Sequence, residues 1–229
     1  MKIMYTRRGG RMPPPDRELL TIQEDRAFAM WRSVNTPACG RFAGQLASER
    51  WRALQAEGAA AMAAGPLERP ILPDSAIETI QVGDTLAKLG HTDMPEGAWG
   101  ELATHCRSLL TDLLDAPQAA VALEVAPAAA GARLVHRGDQ PLALDLTRLA
   151  VRAILWGGYY EQRGNWQWAA PPGPGRVEAG RGWGLDLNFA HGFRPGADEV
   201  VHTYVTFSVF DRDGLVDVSL VEAPALQLA

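Results

Sequence analysis

Apolar positions in the first half of the chain recur with a period of two, then with a helical period. Residues 2–6 (KIMYT) predict a short strand, broken at Arg8-Gly9-Gly10. Pro13-Pro14-Pro15 then predicts a stiff, extended loop, because each ring fixes φ. Residues 17–23 and 26–33 read as a hairpin turning at Glu24-Asp25. Residues 34–40 read as a loop and 41–46 as one more strand. From Ser48, a good N-cap residue, Trp51, Leu54, Ala61 and Met62 recur near helical spacing up to the stop at Gly65-Pro66. A proline-rich connector over 66–75 leads to strands 77–82 and 85–89, which flank the turn signal Gly83-Asp84. A second helix is expected from a capping box of Asp93 and Glu96, with Pro95 in its first turn. Its apolar stripe is Trp99, Leu102, Cys106, Leu109, Leu110 and Leu113.

The pattern changes after residue 117. Strand-like runs follow at 119–125, 132–136, 141–146, 147–156, 182–189, 200–210 and 215–221, with turn residues between them and no helical period. The chain therefore reads as an α+β N-terminal module over 1–117, with antiparallel strands and two helices. An all-β, Ig-like sandwich over 118–229 follows it.

Composition narrows the function. The formal net charge of −5 argues against a nucleic-acid partner, because phosphate binding needs a concentrated basic face. No run reaches the roughly 18 apolar residues that would span a bilayer. The opening has no apolar signal-peptide core behind Arg7-Arg8, so a cytoplasmic protein is expected. Only Lys2 and Lys88 among the 22 basic residues are lysines, which suits a GC-rich bacterial genome. Cys39 and Cys106 form no CxxC and are expected to be buried free thiols, with a mutual disulfide as the alternative.

Candidate chemistry is sparse. No nucleophile elbow, phosphate loop, zinc-protease motif or dinucleotide fingerprint occurs. No catalytic residue, metal site or cofactor is expected. Asp198, Glu199 and His202, with His191, have the right atoms for a metal, but 200–210 reads as a strand, where residues three apart point to opposite faces. His105 and Cys106 are adjacent on a helix and diverge by roughly 100°. Arg137-Gly138-Asp139 reads as a turn. Tyr159, Tyr160, Trp166 and Trp168 lie in an aromatic-rich loop, 157–183, that also carries Gly and Pro. Aromatics at loop tips would anchor a peptide or a sugar; otherwise they pack the sandwich rim, with Trp156 and Trp183 in its core.

The opening Lys2-Ile3-Met4-Tyr5-Thr6-Arg7-Arg8-Gly9-Gly10 resembles the start of the emfourin family of small bacterial proteins. Members inhibit protealysin-type, thermolysin-like metalloproteases. The family order is strand, second strand, apolar helix, polar hairpin and closing helix, here residues 2–10, 17–33, 46–63, 77–89 and 95–114. Arg11-Met12 take the place of the family's Phe after the Gly pair. The second half is similar in pattern to the Ig-like intracellular proteinase inhibitors of bacilli, through its apolar strand, the turn at Arg137–Leu142 and a strand ending in Trp156-Gly157. The resemblance implies a protein partner, a metalloprotease. A stiff loop would contact it: Gly9, Gly10, Arg11, Pro13 and Pro14, with Pro37 in a second candidate loop.

Overall fold

The computed structural model describes residues 1–9, 17–33, 38–73, 75–90, 96–126, 131–141, 143–156, 162–169, 176–178, 183–185, 200–211 and 214–222. The chain divides into two compact units. One comprises Met1–Arg32 and Arg41–Gln118, the other Ser33–Gly40 and Ala119–Ala229.

The first unit is α+β. Its elements are β1 (Ile3–Arg8), β2 (Arg17–Ile22), β3 (Ala27–Arg32), β4 (Ala38–Gln45, from Arg41 onward), α1 (Ser48–Ala64), β5 (Leu67–Glu68), β6 (Ile77–Val82), β7 (Thr85–Gly90) and α2 (Ala98–Asp112). A 3-10 turn, Leu113–Asp115, closes α2. The strand order is β4-β3-β2-β1-β6-β7-β5. The first hairpin pairs Ile3 with Ile22 and Arg8 with Arg17; β6 lies antiparallel on the other side of β1. Only two residues of β5 join the sheet, parallel to β7.

Alternation decides which face each side chain takes. Ile3, Tyr5, Leu20, Ile22, Phe28, Met30, Ile80, Val82 and Ala87 fall at the inward positions and are buried. Both helices pack on this face. Trp51, Leu54 and Ala61 of α1 and Trp99, Leu102, Cys106, Leu109 and Leu110 of α2 complete the core. The opposite face carries Thr6, Thr21, Thr79 and Gln81, all half-exposed.

Several local expectations are corrected. Ser48 is the first residue of α1 rather than its cap. Ala47 occupies the cap without a side-chain bond, and the Ser48 hydroxyl accepts a hydrogen bond from Arg26. Met62, expected on the apolar stripe, is exposed in the last turn of α1. Strand β4 starts at Ala38, inside the stretch expected to be a loop. The 66–75 connector contains β5. Helix α2 starts at Ala98, after Glu96, so Glu96 cannot complete a capping box; Gly97, with φ of 79°, stands outside the helix as its N-cap. Asp93 and Pro95 lie outside the described residues.

Helix α1 ends at Gly65, where φ is 80° and ψ 179°, a conformation reserved for glycine. Nothing lies within 4 Å of a Cβ built there. Gly65→Ala is therefore expected to cost backbone strain alone, about 1–3 kcal/mol of stability. Chemical denaturation measures it, and an unchanged midpoint would show that the chain relaxes out of this conformation at no cost.

The described residues of the second unit are β-strands with one bend. Strands β8 (Pro117–Ala126, from Ala119 onward), β9 (Gly131–His136) and β13 (Trp183–Leu185) pair antiparallel in the order β8-β9-β13. A second sheet is formed by β10 (Ala143–Trp156), β11 (Gln162–Ala169), β12 (Arg176–Glu178), β14 (Val200–Asp211) and β15 (Gly214–Glu222). Its order is β11-β10-β14-β15, with β12 also on β10. The two strands expected at 141–146 and 147–156 are one, β10, with a register shift between Asp145 and Ala150 that absorbs the break. Arg137-Gly138-Asp139 follows β9 as a bend, as its sequence predicts.

Candidate functional site

The β1–β2 connection is held at both ends by the ladder. Arg8 and Arg17 are register partners, and Gly9 leaves β1 with φ of +100°. That left-handed φ turns the chain out of the strand and favours glycine. A Cβ on Gly9 would meet Ala76 Cα and Ser75 O only at 3.7 Å, so conformation rather than space selects the residue. Gly10, Arg11, Pro13, Pro14 and Pro37 lie outside the described residues.

One row below this connection the inward face carries charge instead of hydrocarbon. The register sets Arg32 of β3, Glu18 of β2, Arg7 of β1 and Glu78 of β6 side by side. Their signs alternate. Glu18, whose side chain has no exposed surface, lies 2.6 Å from Arg32 and 3.0 Å from Arg7 Nε. Arg32 also donates to the Leu110 carbonyl of α2, at 2.8 Å. Glu78, equally buried, accepts a forked pair from Arg107 of α2, with Nη2 at 2.7 Å and Nε at 3.0 Å. Burial disfavours the Arg107 charge, but the hydrogen bonds and negative charge of Glu78 outweigh this and raise its pKa. Tyr5 lies beside this pair. Burial first, and then the Glu78 charge, push its phenol well above the ordinary value. The row thus ties the end of the sheet that bears the β1–β2 connection to α2.

A separate polar cleft of about 570 Å³ runs along α1 and α2, lined by Arg50, Glu57, Glu101, Thr104, His105 and Ser108. Glu57 Oε2 lies 3.0 Å from His105 Nδ1 and fixes the ring. Ser108 donates to Asp112 at 3.1 Å. Arg50 also bonds Asp112, and that bond, first among the causes, lowers the carboxyl pKa below its usual value. The cleft holds a carboxylate–imidazole pair, and among the described residues no hydroxyl or thiol is hydrogen-bonded to it.

Cys106 points into the core. Burial, followed by the charges of Glu57 and Glu78, pushes its thiol up to about 12, so it is protonated and inert at neutral pH. Cys39 and Cys106 are both buried and are not joined in a disulfide. Among the described residues no group of three His, Cys, Asp or Glu could hold a metal ion, and His202 sits in strand β14 opposite Ile154. His191, Asp198 and Glu199 lie outside the described residues.

The expectation that Trp166 and Trp168 occupy a loop is corrected. Both belong to β11, where they pair with Ala153 and Val151 of β10. The Gly and Pro residues that suggested a loop flank this strand instead of interrupting it; only Gly164 lies inside. Tyr159 and Tyr160 lie outside the described residues. Among the described residues no helix is long and apolar enough to cross a membrane.

Sequence reasoning missed the buried charged row and the Glu57–His105 pair. The signal for the row was present: Arg7, Glu18 and Glu78 share the inward parity of Ile3, Tyr5, Leu20, Ile22, Ile80 and Val82. No family model, no characterised protein and no solved structure matches the chain.

Proposed function

We propose that this chain is a non-catalytic protein-binding module that inhibits a thermolysin-like metalloprotease. The contact is the β1–β2 connection, residues 9–16. The observation that carries this reading is the anchoring of that connection: its ends are the register partners Arg8 and Arg17, directly above a buried ionic row. A segment with fixed ends loses less entropy on binding. Pro13-Pro14-Pro15 add stiffness of their own, which suits a strand-like insert that resists cleavage. The protease target follows from the emfourin-like opening and the order of elements behind it. We read the antiparallel strands of the second unit as an Ig-like sandwich that serves the same binding role, in a bacterial cytoplasm.

Titrating a thermolysin-like protease with the full chain tests the proposal. Peptide hydrolysis should fall to near zero close to a one-to-one ratio. Gly10→Trp should abolish inhibition and leave the melting temperature unchanged. Full inhibition by Gly10→Trp would remove residues 9–16 from the contact. Undiminished hydrolysis with the unaltered chain would end the inhibitor reading.

A further inference from the structure

The sheet built on β10 and β14 ends with β11 on one side and β15 on the other. An edge strand carries a row of unpaired backbone N–H and C=O groups, and folds blunt it with shortness, irregular pairing, proline or charge. Other edge strands of this chain are blunted. β5 has two residues and β13 three. β11 contains Gly164, and its pairing with β10 shifts register between Leu155 and Trp156. β15 has neither device. It pairs with β14 over all nine of its residues without a shift, and no proline, lysine or interior glycine interrupts it. Among the described residues β14 is its one neighbour. Asp211 and Gly214 flank a two-residue turn and so exchange hydrogen bonds. The alternation of an antiparallel ladder then turns the backbone groups of Val216, Val218 and Leu220 toward β14, and those of Leu215, Asp217, Ser219 and Val221 away from it.

We infer that β15 is the interface of a homodimer: the β15 strands of two copies pair antiparallel about a two-fold axis at Val218, and the sheet continues from one copy into the other. This register uses all nine residues of both strands. It sets Asp217 opposite Ser219 of the second copy, Val216 opposite Leu220, Leu215 opposite Val221 and Gly214 opposite Glu222. Apolar positions meet apolar positions, and no charge opposes a like charge. Asp217 and Ser219 of the second copy exchange the hydrogen bonds that face away from β14. An axis at Asp217, or an in-register parallel pair, would set the two Asp217 carboxylates against each other, which destabilises a sheet. Asp217 therefore selects the register rather than blocking the edge. A two-fold contact closes on itself, because each copy spends the same edge. The interface lies in the second unit and does not rest on the protease reading.

Sedimentation equilibrium of the full chain over a concentration series tests the inference. The expected result is a monomer–dimer equilibrium with no larger species. Ser219→Pro removes an outward N–H from each copy and leaves the β14 ladder intact, as proline allows on a sheet edge. It should abolish the dimer while the circular dichroism of the folded chain persists. Ser219→Asp opposes like charges twice in each dimer and should weaken it on the order of tenfold, whereas Ser219→Lys should tighten it by about threefold. A loss of folding cannot produce these opposite signs. The exchange Asp217→Ser/Ser219→Asp restores an Asp–Ser pairing and should dimerise as the unaltered chain does. A monomer at every concentration overturns the inference and leaves the edge to an extended peptide of another protein. A dimer indifferent to Ser219→Pro overturns it, as does assembly beyond two copies. An exchange variant as weak as Ser219→Asp removes the axis at Val218 and the proposal with it. Protease inhibition is measured separately, so the failure of either proposal leaves the other standing.

Discussion

Glu18→Ala is expected to lower the stability of the first unit by about 3–5 kcal/mol. The Glu18 side chain is completely buried and lies within 3.0 Å of two guanidinium groups. Its contacts are ion pairs rather than well-aligned hydrogen bonds. Removing it leaves Arg7 and Arg32, 18% and 7% exposed, with their shared counter-charge gone. The loss comes from stranding charge in a low-dielectric site, not from an intrinsically strong attraction. Replacing charge and counter-charge together should accordingly recover most of the loss, as in Glu18→Leu/Arg32→Met. Lys88–Glu68 supplies the contrast. It is 43% and 75% exposed, so Glu68→Ala should change stability by less than about 1 kcal/mol. Urea denaturation at neutral pH distinguishes these cases. A Glu18→Ala cost as small as that of Glu68→Ala would mean that water reaches the row, and the anchoring of the β1–β2 connection would lose its basis.

The elements of the first unit were legible wherever one period ran uninterrupted. Hairpins at Glu24-Asp25 and Gly83-Asp84, the stripe of α2 and the stop at Gly65 could all be read from the chain. What escaped was set by partners distant in sequence. Glu18 and Glu78 look like ordinary solvated strand residues until the register brings Arg7 between them and α2 brings Arg107. Similarly, His105 looks like a boundary residue until α1 supplies Glu57, 48 positions away. The start of α2 was misplaced because a capping box is a local pattern, and Gly97 overrides it with a positive φ. β5 was missed because two residues are too few to show a period. Beyond residue 141 strands and turns dominated the pattern, yet the tryptophans of β11 were misjudged, since Gly and Pro around a strand resemble a loop. The residues proposed for binding remained a matter of stiffness and resemblance, because a contact surface has no period of its own.

Trp99→Ala should cost about 3–5 kcal/mol, for two separable reasons. The indole is 4% exposed, at the start of α2, so truncation opens a large cavity in the core. Its Nε1–H also donates to the Gly65 carbonyl at 2.8 Å, tying the start of α2 to the glycine that ends α1. Trp99→Phe keeps much of the packing and gives up the hydrogen bond, which puts its cost nearer 1–2 kcal/mol plus a small volume term. The difference between the two variants measures the packing contribution. Because Gly65 is the acceptor, a Trp99→Phe/Gly65→Ala pair should be non-additive by more than about 0.5 kcal/mol. Additive costs would mean that the carbonyl keeps its position without the indole. Equal costs for Trp99→Phe and Trp99→Ala would assign the whole effect to the hydrogen bond and show that the core closes around the missing ring.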